Sequence, residues 1–350
     1  MRLVFVNWAF ENHGSAQDLY NYSHVARALG NEVVLYGPAN AASPFTCDLD
    51  FDSADAVIFI FEFTTHLQYG DALDLVRLVG KVPRRQRVVI DLDGAYNDAI
   101  RLAGDVNHDD DATSRRWVQV CDSLSDKIYQ PTVQPLRENV RPFFFHAYNP
   151  AWEQPLDFRA KEYGMVYVGN NWFRWRALER VLRALEPIRE RVGRIGLVGH
   201  GWDTKEPWGG PALTEDAYHT DPQYLRRLGV EITPPVRFDQ VVSWMGKGVF
   251  TPVIYRPLFD HLRLVTCRTF ETPAANVIPL FAQEADFVRE IYGEEAVELV
   301  LPKEQPQKWI RDVLECPERY AGIVRCIRRY LAEKHSYAAR LRELIGIVES

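Results

Sequence analysis

Short apolar runs alternate with longer segments of helical spacing through the first part of the chain. The runs at 3–6, 55–61 and 87–92 are almost continuously apolar, which is typical of strands covered on both faces of a parallel sheet. Segments between them, such as 18–29, have the spacing of amphipathic helices. Strands that alternate with helices indicate a parallel sheet, so we predict a Rossmann-like α/β domain over residues 1–150.

The same alternation begins again after a polar, proline-containing segment at 148–163, which predicts a linker. Strands are predicted at 165–169, 194–198 and 248–255, with helices between them. We therefore predict a second Rossmann-like domain over residues 164–330, followed by a helical segment over 331–350. Two α/β domains that face a cleft are a plan shared by several enzyme classes, so the pattern alone does not fix the activity.

Composition and charge restrict the class of protein further. The chain has 47% hydrophobic and 25% charged residues, as globular proteins do, and its net charge of −7 argues against a general nucleic-acid-binding surface. No apolar run approaches the length of a membrane span. The apolar start of the chain breaks at Asn7, too early for a signal peptide, and the five cysteines form no CxxC pair. These features predict a cytoplasmic protein with reduced thiols.

The segment from Arg263 to Phe281 has the features of a ligand-binding corner. We predict a helix that starts near Glu271, with Thr272 as its cap and Pro273 in its first turn. Asn276 is predicted to close the helix in the left-handed conformation, and an apolar run at 277–281 to form the next strand. A carboxylate at the start of a helix suits a nucleotide, since amides face phosphate and the carboxylate faces ribose hydroxyls.

The residues of this corner fit the pattern F-E-x-x-A-x-N/G-x-x-P/L. The pattern resembles the donor-binding corner of the GT-B glycosyltransferases, in particular the CgeB-type (spore-maturation) branch of the group 1 glycosyltransferases. In the larger retaining families of this fold, two glutamates stand eight positions apart. Glu271 matches the second, which holds the ribose of the nucleotide sugar, and Arg263 replaces the first. The resemblance implies a nucleotide-sugar donor, which we expect Glu271, Arg263 and Asn276 to contact.

The end of the chain carries a second likeness to CgeB-type proteins. His335 to Arg340 resembles their closing element, H-[ST]-Y-x-x-R. The GT-B fold implies that the terminal helix over 331–350 crosses back onto the first domain. Tyr337 and Arg340 are therefore expected to dock this helix, and the arginines at 325, 328 and 329 to lie on a solvated face.

Further donor-binding residues are predicted around the same site. Arg268 is placed to reach the donor diphosphate, or else to pair with Glu271. Other candidates follow two predicted strands of the second domain, where open α/β sheets bind ligands: Gly169, Asn170 and Arg174 after the first, Gly199 and His200 after the second. The alternative is that these are ordinary strand-to-helix loops. The glycine spacing is not the full G-x-G-x-x-G fingerprint, which argues against a nicotinamide or flavin cofactor.

Two residues of the first domain are candidates for the catalytic base. His13 lies in the loop after the first strand, and histidine is the side chain that titrates nearest to neutral pH. Asp93 follows a buried strand at the cleft and stands beside Gly94. Either could take the proton of an acceptor hydroxyl. The simpler alternatives are a solvated loop histidine and a structural strand-end acid.

The combined prediction is a glycosyltransferase, of the hexosyltransferase class, that moves a sugar from a nucleotide sugar to an unidentified acceptor. Arginines and helix amides would stabilise the leaving diphosphate, so no cofactor and no obligatory metal are expected. The acceptor is expected to be a small molecule or glycan rather than a modified nucleic acid base. Two alternatives are a nucleotide-sugar 2-epimerase of the same architecture and a non-catalytic protein that binds sugar nucleotides or glycans.

Overall fold

The first parallel sheet is built from the N-terminal part of the chain. The computed structural model describes residues 1–7, 14–37, 45–50, 52–62, 80–102, 105–108, 110–204 and 216–350. Within these residues the first sheet has seven strands in the order β3-β2-β1-β4-β5-β8-β9. The strands are β1 (Arg2–Val6), β2 (Glu32–Tyr36), β3 (Cys47–Asp48), β4 (Ala56–Phe61), β5 (Arg87–Asp91), β8 (Ile128–Gln130) and β9 (Val140–Pro142).

Apolar side chains on both faces explain why these runs form strands. Leu3 and Phe5 of β1 pack into one core cluster, whereas Val4 and Val6 pack into another on the opposite face. The two described helices of this domain are α1 (Gly14–Ala28) and α2 (Asp111–Leu124). A short antiparallel pair, β6 (Arg101–Leu102) and β7 (Asp105–Val106), projects beside the sheet.

The second parallel sheet has five strands in the order β12-β11-β10-β13-β14. The strands are β10 (Tyr163–Val168), β11 (Ile195–Val198), β12 (Val230–Thr233), β13 (Gly248–Val253) and β14 (Ile278–Phe281). The described helices are α3 (Trp175–Leu185), α4 (Arg189–Val192), α5 (Pro222–Arg227), α6 (Phe238–Met245), α7 (Pro257–His261), α8 (Cys267–Ala274), α9 (Ala285–Tyr292), α10 (Pro306–Glu315), α11 (Pro317–Lys334) and α12 (Tyr337–Glu349). Two Rossmann-like sheets of this kind are the predicted fold class.

The terminal helical segment is two helices rather than one. Helix α11 packs against the second domain, and α12 begins after His335 with Ser336 as its N-cap. Leu341, Leu344 and Val348 of α12 lie in a core cluster of the first domain. The last helix therefore returns across the domain boundary. Among the described residues, no helix has both the length and the apolar character needed to cross a membrane.

Arg328 of α11 is buried, and the prediction that it lies on a solvated helix face is wrong. Its guanidinium donates to the carbonyl oxygens of Pro273, Ala274 and Ala275, at 2.7, 3.1 and 2.9 Å. These carbonyls lie at the carboxyl end of α8, where an arginine satisfies unpaired acceptors and complements the helix dipole. Arg328 thus supports the helix that carries Glu271.

The two domains also touch through the antiparallel β6–β7 pair. Arg256 and Asp105 form an ion pair in which Arg256 Nε lies 3.0 Å from Asp105 Oδ2, and Asp105 is fully buried. The Leu258 amide donates to the same oxygen at 2.8 Å. Leu258, Leu262 and Leu264 of the second domain form a cluster against Ile100 and Leu102 of the first. We call this contact the far-side tether.

Candidate active site

The order of strands in the second sheet marks one ligand-binding edge. The chain runs from β10 to β11 and β12, and then returns to β13 on the other side of β10. The carboxyl ends of β10 and β13 therefore form a topological switch point, where open α/β sheets bind ligands. Gly169 and Asn170, two of the predicted donor-binding residues, directly follow β10 at this point.

Arg268 and Glu271 of helix α8 lie at the same switch point. Arg268 Nε donates to the carbonyl of Val168, the last residue of β10, at 2.7 Å. The Arg268 guanidinium also pairs with Glu271 Oε2. Glu271 is only 1% exposed, and its other oxygen, Oε1, has no hydrogen-bond partner among the residues that the structure describes. A buried carboxylate oxygen without a partner is unfavourable unless a ligand satisfies it.

Helix α8 begins earlier than predicted, and the predicted start near Thr272 and Pro273 is wrong. Thr266 is the N-cap, and its hydroxyl and that of Thr269 form a reciprocal capping box. Pro273 lies in the last turn of the helix. Threonine at the third helical position takes the place of the usual glutamate or glutamine of the box, so the sequence signal was weak. Glu271 consequently lies in the second turn, and its side chain is buried between the domains.

Asn276 does not close the helix in the left-handed conformation, contrary to the prediction. Phe173, Arg263 and Gln305 are the described non-glycine residues with positive φ. The Asn276 side chain instead exchanges two hydrogen bonds with the backbone of Asp157, at 2.8 and 3.0 Å. Asp157 belongs to residues 148–163, the predicted linker, which we call the connector. Asn276 therefore ties the end of α8 to the connector.

The loops after β10 and β11 are joined to each other. Gly199 has φ of 148°, and a Cβ atom there would overlap the carbonyl of Gly169. The Asn170 side chain accepts a hydrogen bond from the amide of His200 at 2.9 Å. The glycine at position 199 therefore allows close approach of protein backbone, and the loop pair forms one rim of the switch point.

Arg174 and Arg268 bring two guanidinium groups to this rim. Arg174 Nη1 donates to the carbonyl of Asn170 at 3.2 Å. Burial raises the pKa of the Tyr167 hydroxyl, and Arg174 and Arg268 both act on it in the opposite direction, so both lie near that hydroxyl. Arg176, by contrast, is exposed. The rim thus has positive charge where a diphosphate could bind.

Arg263 lies in a different cleft from Glu271. Its φ is 52°, and its guanidinium pairs with Asp286 at 2.8 Å. The surrounding cleft is lined by Tyr255, Asp260, His261, Arg263, Glu284 and Phe287. The structure therefore does not bring Arg263 to the residues that surround Glu271.

The first domain contributes the opposite wall of the Glu271 site. Its sheet has a second switch point between β1 and β4, where Glu62 Oε2 accepts a hydrogen bond from the Ser15 amide at 2.9 Å. A Cβ on Gly14 would lie 3.3 Å from Glu62 Oε1 and 3.4 Å from Cys267 Sγ. We call the narrow space between the walls the crevice; its lining residues are Gly14, Gln17, Asp18, Ala147, Trp152, Cys267, Glu271 and Tyr337.

Two buried polar side chains beside the crevice, Asp18 and His146, escaped the sequence analysis, and they meet Tyr337, which was expected only to dock the last helix. His146 Nδ1 lies 2.6 Å from Asp18 Oδ2, and the Tyr337 hydroxyl donates to Asp18 Oδ1 at 2.6 Å. Burial alone would lower the pKa of His146, but the carboxylates of Asp18, Glu62 and Glu271 together raise it. The available signal was the histidine that ends the aromatic run Phe143 to Phe145, directly before the connector.

Comparison with known proteins adds independent information. Residues 174–346 match the family described as glycosyl transferase-like. The structure of T4 phage beta-glucosyltransferase in complex with UDP-glucose matches over 100% of both chains, with a TM-score of 0.60 and 11% identity. An alpha-glucosyltransferase in complex with UDP and a 13-mer DNA containing an HMU base matches over 100% of this chain and 99% of that one, with a TM-score of 0.65 and 11% identity. No curated protein sequence matches the chain.

The chain has the GT-B fold. Its two parallel sheets belong to a fold that matches these glucosyltransferase structures over the whole chain, with TM-scores of 0.60 and 0.65. At 11% identity, these matches establish the fold of the chain but not its substrate. The second domain of this GT-B chain contains most of the glycosyl transferase-like match.

Of the two candidate bases, only Asp93 belongs to the residues that the structure describes. His13 lies outside the described residues. Asp93 is half-buried beside Gly94, at which a Cβ would overlap Leu262 of the second domain. The neighbouring Asp91 is fully buried and accepts three hydrogen bonds, from the amides of Ala95 and Tyr96 and from Gln130. Asp91 thus shapes the loop that carries Asp93 and has no oxygen left for a substrate.

Proposed function

We propose that this protein is a glycosyltransferase that uses a nucleotide-sugar donor bound by the second domain. One observation carries the proposal: Glu271 is buried at the switch point with one carboxylate oxygen unpartnered among the described residues. The 2′- and 3′-hydroxyls of a ribose are hydrogen-bond donors of the kind that this oxygen lacks. The proposal places the ribose against Glu271, between the end of β10 and helix α8.

The donor diphosphate is proposed to lie along the rim. Arg268 and Arg174 are the cations there, and Gly169 and Asn170 supply backbone at the end of β10. His200 and Gly199 hold the two loops together, and Asn276 ties the end of α8 to the connector. Positive charge at the rim would stabilise the leaving diphosphate, so we propose transfer without an obligatory metal. Arg263 is left out of the proposed donor site because it lies in another cleft.

The comparisons support a first choice of donor. The full-length structural match to a protein solved with UDP-glucose favours a uridine diphosphate hexose, and with it the hexosyltransferase class. The family match supports a glycosyltransferase, and the corner motif is the reason why we also propose placement in the CgeB-type branch. The protein solved with UDP and Mn²⁺ is a reason to test this ion as well as Mg²⁺.

The acceptor is proposed to be a small molecule or a glycan. The net charge of −7 disfavours a broad DNA-binding surface, because phosphate contacts need basic residues. DNA containing an HMU base is the second candidate, since one matching structure holds such a DNA. Transfer assays with both acceptor classes distinguish the candidates directly.

The experiment that tests the donor site is a binding screen on the purified protein. UDP, GDP, dTDP, ADP and CMP are compared by thermal shift, with no metal, with Mg²⁺ and with Mn²⁺. A ligand at 100 times its dissociation constant stabilises the folded state by about 2.7 kcal/mol, which is easily detected. We expect a metal-independent shift with UDP that Glu271→Ala markedly reduces, because the variant should bind the nucleotide about 1–3 kcal/mol more weakly. No shift with any nucleotide would refute the proposal.

We propose Asp93 as the base that accepts the proton of the acceptor hydroxyl. Asp93→Asn should reduce transfer by about a hundredfold or more, the usual contribution of a general base, because an amide cannot take up a proton. Donor affinity should stay unchanged. Steady-state transfer and UDP-glucose titration measure the two effects separately, with exposed Asp98→Asn as the control. Normal turnover of Asp93→Asn would exclude Asp93 and leave His13 as the candidate.

A further inference from the structure

A hydrogen-bonded cluster at the crevice has no part in the donor contacts proposed above. It consists of Asp18 in helix α1, His146 before the connector and Tyr337 at the start of α12. Each of the three residues is no more than 5% exposed. The cluster joins three separate segments of the chain at the wall that faces Glu271.

Acidic groups from both domains converge on His146. A Cβ placed on Gly14 would lie 3.3 Å from Glu62 Oε1 and 3.6 Å from His146 Cε1, so these two side chains border the same space. Asp18 bonds His146 directly, and Asp18 and Glu271 line the crevice beside Gly14. The other facing groups are the Cys267 thiol and the Tyr337 hydroxyl, whose pKa values are raised mainly by burial, so that both stay neutral. Arg268 is already bound to Glu271 and to the Val168 carbonyl. Among the residues that the structure describes, His146 is thus the cation left to balance the remaining carboxylate charge.

Without a positive charge on His146, these carboxylates would repel each other across the domain boundary. Like charges in a buried site interact far more strongly than they do in water. The repulsion would act between Asp18 and Glu62 on one wall and Glu271 on the other. It would also favour rotation of the free Glu271 oxygen away from the position that the ribose needs.

We propose that His146 is a positioning residue for the donor site, whose imidazolium, bound by Asp18, holds helix α1 and the Glu271 carboxylate facing each other across the crevice. The inference rests on the proposed function, because it concerns the affinity for a nucleotide-sugar donor. His146 acts through Glu271 and does not take part in the chemical step.

The sign of the pH dependence follows from this arrangement. Burial lowers the pKa of His146, but the carboxylates around it raise it above that of a free histidine, so the imidazolium persists to higher pH and donor affinity is highest on the acid side of this pKa. As the pH rises through this pKa, the cation is lost and the affinity falls. By thermodynamic reciprocity, donor binding raises the pKa of His146 by the same coupling.

The experiment measures the dissociation constant of UDP-glucose by calorimetry between pH 6.5 and 9.5. UDP-glucose is chosen because its diphosphate is esterified at both ends and keeps its charge over this range. Wild type should lose about tenfold in affinity across the range, within the usual size of such couplings. His146→Gln can still donate to Asp18 but has no charge to lose, so its weaker affinity should not share this pH dependence.

His24→Gln is the matched control, because His24 is exposed on the same helix α1 as Asp18. It should retain the affinity and the pH dependence of wild type. A pH dependence in His146→Gln equal to that of wild type would overturn the inference. Wild-type binding that does not change with pH would overturn it as well, while leaving the proposed function in place. Absence of nucleotide binding at every pH would refute both.

A second measurement follows His146 itself. The imidazole Cε1 proton of His146 is titrated by NMR in wild-type protein with and without UDP-glucose, and is assigned through its absence from the His146→Gln spectrum. The His146 pKa should rise by about one unit on binding, which corresponds to the tenfold change in affinity. An unchanged or lowered pKa would overturn the inference.

Discussion

The two walls of the crevice carry acidic residues that are equally buried and very differently bonded. Asp18 on the first domain is 2% exposed, and Glu271 on the second is 1% exposed. Both oxygens of Asp18 have partners, His146 and Tyr337. Glu271 has Arg268 at one oxygen and no partner at the other among the described residues.

The number of bonded oxygens distinguishes a structural acid, Asp18, from an acid with the features expected of a ligand-binding residue, Glu271. Burial removes water from a carboxylate, so every missing hydrogen bond weakens the folded state. Hydrogen bonds within the protein replace the lost bonds to water when both oxygens of a buried acid have partners. An acid with an oxygen left over is what we expect of a residue that binds a ligand, and it is the reason why we propose donor recognition by the second domain.

The largest expected effect is on the first wall. Asp18→Ala removes the partner of a buried histidine and of a buried tyrosine, and loss of one member of a buried pair costs about 3–5 kcal/mol. Urea denaturation should show this loss of unfolding free energy at pH 7. Asp52→Ala, at an exposed site, is the control. A loss below about 1 kcal/mol would remove the structural role of Asp18.

On the second wall, we expect the main effect on donor affinity rather than on the free energy of unfolding. Glu271→Gln keeps the shape of the side chain but weakens its bonds to ribose hydroxyls, by about 2 kcal/mol or roughly thirtyfold in donor affinity. Calorimetry with UDP-glucose measures the change, and Glu333→Gln, exposed on α11, serves as the control. A folded Glu271→Gln variant with wild-type affinity would contradict the assignment of this wall to the donor.

The smallest effect is expected from Tyr337→Phe. The change removes one hydrogen bond to the buried carboxylate of Asp18, worth about 1.5 kcal/mol of unfolding free energy. Thermal denaturation should show the loss, and Tyr20→Phe, at a 45% exposed site, should show none. Equal stability of the two variants would mean that Tyr337 contributes only its ring to the packing against Tyr22.

Much of the fold followed from local sequence pattern. Strands such as β2 and β4 are short apolar runs, and parallel strands covered on both faces leave this signal clearly in a sequence. The break between α11 and α12 was missed, although Ser336 is a favourable N-cap. The start of α8 was missed because both members of its capping box are threonines, and the usual glutamate or glutamine is absent from the third helical position. Local chemistry explains each of these outcomes.

The candidate site was less accessible to sequence reasoning, because its contacts join distant residues. Arg328 stands among other arginines and reads as exposed, yet it bonds carbonyls that lie 53 to 55 residues earlier. Asp18 and Tyr337 are 319 residues apart. Glu271, in contrast, belonged to a motif with a local pattern. Resemblance can identify such a residue, whereas the wall that faces it emerges only from the fold.

The far-side tether has a consequence for how this protein can be divided. The chain crosses between domains at the connector and again at His335 to Tyr337, and Arg256 with Asp105 joins them a third time. A hybrid protein made by exchanging one half at the connector would therefore contain a buried Arg256 or a buried Asp105 without its ion-pair partner. An exchange of domains in this protein therefore requires that β7, the start of α7 and the last helix come from the same parent protein.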